Sequence, residues 1–406
     1  MGGGLLELVT IGEMDKKYFL GNPEISFFKY IYKKHTNFAL ETKRMYFENE
    51  LDFGKKTTVK INKLGDLISN IFLEIELPPL IANDNQTVSY VNSVGNVLIK
   101  KIDLEIGGEI IVTHTGEWLE IWNQLSTTSE KKKSYNRMVG KYGFLDSNTD
   151  PEGGKYIIPL DFWFCKEESA SFPLMALQFH DIKLHFELRP FNELWVSSDG
   201  NPPKGTYNLN PDSYLYVDYV FLDREERTLL AKMNHDILIK QLQIQEFSVR
   251  ANKSNIKLEL NFYHPILELI WVIQREDVSV TGPELGNDWF NYSSSLTIPH
   301  GEPMINAKLL FNGMERFDEL SSKYFRLLEP YKKHTSVPDN FIYCYSFALK
   351  PESNQPTGSC NFGKIDNVDL FLTLVNNLPN CKVKVFAINH NILTLSSGMA
   401  GLRYTN

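Results

Sequence analysis

Apolar and polar positions alternate in short runs along most of the chain, and the runs end at Gly, Pro or Asn. Residues 57–61 (TTVKI), 71–77 (IFLEIEL, stopped by Pro78 and Pro79), 183–188 (KLHFEL), 214–222 (YLYVDYVFL) and 382–388 (KVKVFAI) carry this pattern. A period of two is what a half-buried strand requires, because successive side chains point to opposite faces. Many such runs separated by turn signals predict β-sandwiches or barrels. The helical period of 3.6 is confined to short segments, so the pattern predicts an all-β chain with short helices in its loops.

The pattern also repeats. Residues 104–125 (LEIGGEIIVTHTGEWLEIWNQL) and 309–328 (LLFNGMERFDELSSKYFRLL) each read strand, Gly turn, then short helix. Trp118, Trp122 and Leu125 in one copy, and Tyr324, Leu327 and Leu328 in the other, fall at helical spacing and predict core packing. Three further landmarks follow in the same order: FCKEES (164–169) against FALKPES (347–353), FHDIKLHFEL (179–188) against IDNVDLFLTL (365–374), and the last strands at 214–222 and 382–388. Four landmarks in one order predict two copies of one β-domain. Gly108 and Gly313 are 205 positions apart but Asp181 and Asp366 only 185, so the first copy carries the longer loops, at 126–156 and 191–212. Loops of such length are usually exposed and often functional. The expected division is an N-terminal arm over 1–36, a first domain over 37–222, a short linker helix over 223–235 capped by Asp223, and a second domain over 236–406.

Composition narrows the function. Of 406 residues, 42% are hydrophobic and 23% charged, which suits globular domains, and 26 Phe with 19 Tyr favour strands. The net charge of −8 argues against coating nucleic acid, whose phosphates demand a basic surface. Lys29, Lys33, Lys34, Lys43, Arg44 and the run Lys131, Lys132, Lys133 are local exceptions, read as solvated faces. Four scattered cysteines (Cys165, Cys344, Cys360, Cys381) have no paired zinc-ligand spacing and predict free thiols. No apolar run approaches a membrane span, and the start MGGGLLELV has no signal-peptide core, which leads to the expectation of a chain that is soluble and intracellular at synthesis.

Several segments carry a family resemblance. GNPEISFFK (21–29) with KKHTNFA (33–39), HPILELIWVIQ (264–274), YSFALKPESNQPTGSCNFGKIDN (345–367) and INHNILTLSSGMAGLRY (388–404) resemble the major capsid proteins of nucleocytoplasmic large DNA viruses. The resemblance spans essentially the whole chain. It implies two tandem eight-stranded antiparallel jelly rolls, a double jelly roll, and a structural rather than catalytic role. It also implies a homotrimeric capsomer with a pseudo-hexagonal outline that tiles an icosahedral virion shell assembled in the host cytoplasm. The implied partners are neighbouring capsomers and minor capsid proteins. No cofactor and no direct nucleic acid contact are implied. A paralogous shell protein at a special position, or a jelly-roll carbohydrate-binding protein using Phe191, Trp195 and Tyr207, are the alternatives.

Remaining candidates are few. In the arm, Ile25, Phe28 and Tyr32 fall at helical spacing, Phe27 and Ile31 widen the apolar face, and Lys29, Lys33 and Lys34 add charge. Such a segment suits contact with minor capsid proteins or an internal membrane. Sequons stand at Asn85, Asn252 and Asn291. A metal-dependent enzyme would need His and carboxylate side chains converging inside a barrel. The best available set, His114, Glu117, His180, Asp181 and His185, lacks that spacing, and no hydrolase or nucleotide motif is present.

Overall fold

The computed structural model describes residues 2–142, 153–279, 286–295 and 301–405. It divides into a short N-terminal unit, Met1–Asn37, and a main body, Phe38–Asn406.

The main body contains two jelly rolls. The first has strands β1 (Phe38–Tyr46), β2 (Lys56–Ile61), β3 (Leu67–Leu77), β4 (Ile99–Ile106), β5 (Glu109–His114), β6 (Gly154–Pro159), β7 (Ile182–Leu188) and β8 (Tyr214–Leu222). They form two antiparallel sheets in the orders β1-β8-β3-β6 and β2-β7-β4-β5. The second has β9 (His235–Val249), β10 (Asn255–Glu259), β11 (Pro265–Arg275), β12 (Met304–Phe311), β13 (Met314–Ser321), β14 (Tyr343–Ser346), β15 (Val368–Leu374) and β16 (Cys381–Ser396). Its sheets run β9-β16-β11-β14 and β10-β15-β12-β13. Each strand therefore has a counterpart eight places on, with the same neighbours. The duplication expected from the landmarks is present strand for strand.

Alternation builds the cores. In the first jelly roll Leu73 and Ile75 of β3 and Val217 and Tyr219 of β8 meet Ile102, Leu104, Leu184 and Phe186 of the facing sheet, all buried. In the second, Trp271 and Ile273 of β11 meet Leu309, Leu370 and Leu372. The Gly107–Gly108 pair makes the two-residue turn between β4 and β5, with φ of 63° and 92°; a positive φ at both positions favours glycine.

After β5 the chain enters helix α1 (Gly116–Ser126), capped by Thr115, whose hydroxyl accepts from the Trp118 amide at 3.2 Å. Gly116 is required there, because a Cβ would collide with the carbonyls of Asn96 and Ile99. The counterpart after β13 is a wide turn, Tyr324–Leu328, continued by the short helix Glu329–Lys333.

The expectations for the two long loops need correction. The loop predicted over 126–156 contains a helix, α2 (Ser129–Val139), with Tyr135 and Val139 buried; residues 143–152 of that stretch lie outside the described ones. The other predicted loop, 191–212, is not simply exposed: Leu194, Trp195 and Leu209 are buried, and Trp195–Ser197 pairs with Val88–Tyr90. Helix α3 (Arg224–Lys232) follows β8, with the Asp223 carboxylate accepting from the Arg224 amide at 2.7 Å.

The N-terminal unit has a helix at Gly3–Val9 and a single wide turn at Asp15–Phe19. The helix suggested by Ile25, Phe28 and Tyr32 is not formed; the chain there has no regular structure. A short isolated helix gains too little without a packed face, and Pro23 and Asn22 (φ 52°) break its approach.

Candidate functional site: assembly surfaces

In the second jelly roll's sheet β9-β16-β11-β14, the inner strands β16 and β11 are buried on both sides. Along β11, Leu269, Trp271 and Ile273 enter its own core, while Leu267, Ile270 and Val272 join the core of the first jelly roll. Along β16, Val383, Val385 and Ala387 point one way, and Phe386 and Ile388 the other. This explains why HPILELIWVIQ reads as a nearly continuous apolar run. The element on the far side is α1. Trp118 packs on Phe386 with ring centres 5.7 Å apart, and Trp122 meets His334 edge-on at 6.2 Å.

Polar groups lock this seam. Lys384 reaches both oxygens of Glu117 at 2.6 Å, and both side chains are nearly buried. Gln241 donates to the Ile111 carbonyl at 2.6 Å and Arg189 lies 4.2 Å over Trp289; within the second jelly roll, Lys240 donates to the Pro351 carbonyl at 2.8 Å. Lys166 sits 4.3 Å over Trp122. Beside it is a cavity of about 40 Å³, lined in part by His114, Asp161, Lys166 and Lys240. Burial and then the Lys166 charge push Lys240 down to about 7. Burial pulls His114, which stacks on Phe162, down to about 4. At His334 burial opposes the charge, but Glu268 beside it and hydrogen bonds to Cys344, Glu268 and Glu352 hold its pKa well above the ordinary value.

The counterparts of these seam elements have no such cover. The outward face of β1-β8-β3-β6 presents Leu40, 63% exposed, and Arg44 and Tyr46, with the Arg44 guanidinium 4.6 Å over Tyr214. The segment 324–333 presents Leu327, Leu328 and Tyr331, the last 78% exposed, so the core packing expected of Leu327 and Leu328 is not found; Met314 at the start of β13 is exposed as well.

The chain's two halves match two family models end to end. Residues 26–223 match the major capsid protein N-terminus and residues 226–401 the large eukaryotic DNA virus major capsid protein. The chain belongs to the major capsid protein family of large eukaryotic DNA viruses. It is 38% identical to the major capsid protein of Pyramimonas orientalis virus and 30% identical to that of Paramecium bursaria Chlorella virus 1, in each case over the whole of both chains. A structure of the PBCV-1 virus capsid superposes with a TM-score of 0.80 at 28% identity, covering 94% of this chain and 100% of that one.

The residues singled out in the sequence are widely separated. Phe27 (90% exposed), Phe28, Lys29, Tyr32, Lys33 and Lys34 are exposed within the N-terminal unit, where every described residue except Asp15 is exposed. Asn85 and Asn252 lie at exposed turns with positive φ. Asn291 is buried, with its amide nitrogen enclosed and its oxygen accepting from Ser293, so a glycan there would require that segment to open. His180 accepts from the Ala400 amide, Asp181 pairs with Lys60, and His185 lies between Thr58 and Glu105. These groups do not converge with His114 or Glu117. Phe191 and Tyr207 stack on each other at 4.6 Å and Trp195 is buried, so they offer no open platform for a sugar.

The polar seam residues were not anticipated. Their signal was a charge inside a run too apolar for a one-sided strand: Glu268 in HPILELIWVIQ, and Lys384 in KVKVFAI.

Proposed function

We propose that three copies of this chain close into a ring, a homotrimeric capsomer of six similar lobes that tiles the virion shell. The observation carrying this reading is the seam. It joins the helix-bearing end of one jelly roll to the outer sheet of the other. The counterparts of those two surfaces are uncovered: the segment 324–333 exposes Leu327, Leu328 and Tyr331, and the outward face of β1 exposes Leu40 and Tyr46 beside Thr42 and Arg44. One copy's 324–333 segment would dock on the next copy's outward sheet as α1 docks on its own. Repeating a heterologous contact closes a ring when the rotation fits. Three joints within chains and three between chains then give a hexagonal outline.

In this reading the division into arm (1–36), first jelly roll (37–222), linker helix (223–235) and second jelly roll (236–406) is also the division of labour. The jelly rolls build the ring and its contacts with neighbouring capsomers. The arm, with Phe27, Phe28, Tyr32 and the three lysines exposed, reaches minor capsid proteins or an internal membrane during assembly in the host cytoplasm. The role is structural, without catalysis or direct contact with the genome. Negative-stain images of the purified chain test it. Particles of three chains with hexagonal outline are expected; a well-folded particle of another outline would contradict it.

A further inference from the structure

One cluster in the second jelly roll has a chemistry that shell building does not use. Glu268 sits at a bulge in β11, Cys344 lies on the adjacent β14 opposite Ile270, and His334 follows the helix Glu329–Lys333. All three are buried, and their ligand atoms lie within 4.8 Å of one another. His334 Nε2 is 2.6 Å from Glu268 Oε1. Its Nδ1 is 2.9 Å from Glu352 Oε1, and Glu352 is itself held by the Thr335 amide at 2.9 Å and hydroxyl at 2.5 Å. A carboxylate on the far nitrogen is the arrangement that fixes the tautomer and aim of a metal-binding imidazole. Independently, Glu268 Oε2 is buried without a hydrogen-bond partner. An unpaired carboxylate oxygen in the interior is costly and calls for a ligand.

We propose that Glu268, His334 and Cys344 bind one divalent cation of the zinc class, with Glu352 as the positioning residue. The thiolate and imidazole select a borderline-soft ion over magnesium or calcium. Charge balances. Without metal, a carboxylate, an imidazolium and a thiol sum to zero. With metal, the ion displaces one proton from His334 and one from Cys344, and carboxylate, neutral imidazole, thiolate and dication again sum to zero. The nearby Lys166 and Lys240 therefore do not oppose the exchange. The Glu268–His334 contact opens from its hydrogen-bonded 2.6 Å to admit the ion, since tetrahedral ligands stand roughly 3.3–3.8 Å apart. The bound ion would tie β11, β14 and the 334 loop together directly beneath Trp122 of the seam.

The test is metal content of the full chain, expressed with zinc and freed of loose metal by gel filtration. About one zinc per chain is expected, falling at least tenfold in Cys344→Ser and His334→Gln, with Glu352→Gln weakened about 10–100-fold in affinity. Cobalt exchanged into the wild-type chain and into a Cys360→Ser control should show thiolate-to-metal charge-transfer absorption. The wild-type measurements stand even where a variant fails to fold. Wild-type protein without bound metal, a cobalt spectrum lacking the thiolate band, or full metal content in folded Cys344→Ser would each overturn the proposal.

Discussion

In the first jelly roll the helix after the fifth strand, α1, lies buried with Trp118 and Trp122 against the neighbouring sheet. In the second, the segment 324–333 at the same place in the fold keeps Leu327, Leu328 and Tyr331 on the surface. The two sheets differ in the complementary way: β16 and β11 are covered on both faces, whereas β1 has its outward face open. Two copies of one domain thus present one satisfied joint and the two halves of another. In the proposed ring, the open surfaces of successive copies would meet as the covered ones meet within the chain.

Substitutions on the two helices should break the comparison in opposite ways. The largest effect is expected at Trp118. Trp118→Ala leaves a cavity against Phe386 and should cost about 3–5 kcal/mol of folding stability, read by denaturant unfolding. Tyr331→Ala should change the stability of an isolated chain by no more than about 0.5 kcal/mol while weakening association. Equal loss of stability in both would erase the distinction between a buried and an open joint.

The Lys384–Glu117 pair sharpens the same contrast. Removing Lys384 leaves Glu117 only the longer contact to Arg189 at 3.9 Å, so Lys384→Met should cost about 3 kcal/mol, and Lys384→Met with Glu117→Leu should recover part of it. A double variant no better than the single one would mean the pair is not coupled.

A smaller effect concerns pH. His114 is held down to about 4 from its ordinary 6.5 by burial. As pH falls through that window, the unfolded chain takes up a proton that the folded chain resists. Stability is therefore complete above about 6.5 and is lost toward pH 4, by about 3 kcal/mol in all. His114→Phe should flatten that part of the stability profile, measured by unfolding between pH 7 and pH 4. An unchanged slope would assign the acid loss elsewhere. The smallest effect on the fold is expected from deleting residues 1–36, which removes Phe27, Phe28, Tyr32 and the three lysines: unfolding midpoint and trimeric state unchanged, shell assembly weakened. Normal shells from that deletion would remove the arm from assembly.

Much of this was legible in the sequence. Alternation gave the strands, because one-sided burial leaves a period of two, and four ordered landmarks gave the duplication. The seam was harder. Strands such as β11 are buried on both faces, so their apolar runs do not say which side meets the same domain and which the neighbour. α2 was hidden by the polar run SEKKKSYNRMV, which packs only Tyr135 and Val139. The arm failed in the opposite direction: helical spacing at Ile25, Phe28 and Tyr32 had no surface within its own unit to make a helix worth its entropy. The Glu268, His334 and Cys344 cluster spans 76 positions and is assembled only by strand pairing.

The most direct test of the ring is solution mass by light scattering, comparing the wild-type chain with Leu328→Asp/Tyr331→Asp. The account predicts a wild-type particle of three 46.8 kDa chains and a folded single chain for the variant. A folded wild-type monomer, or a variant that still weighs three chains, would contradict it.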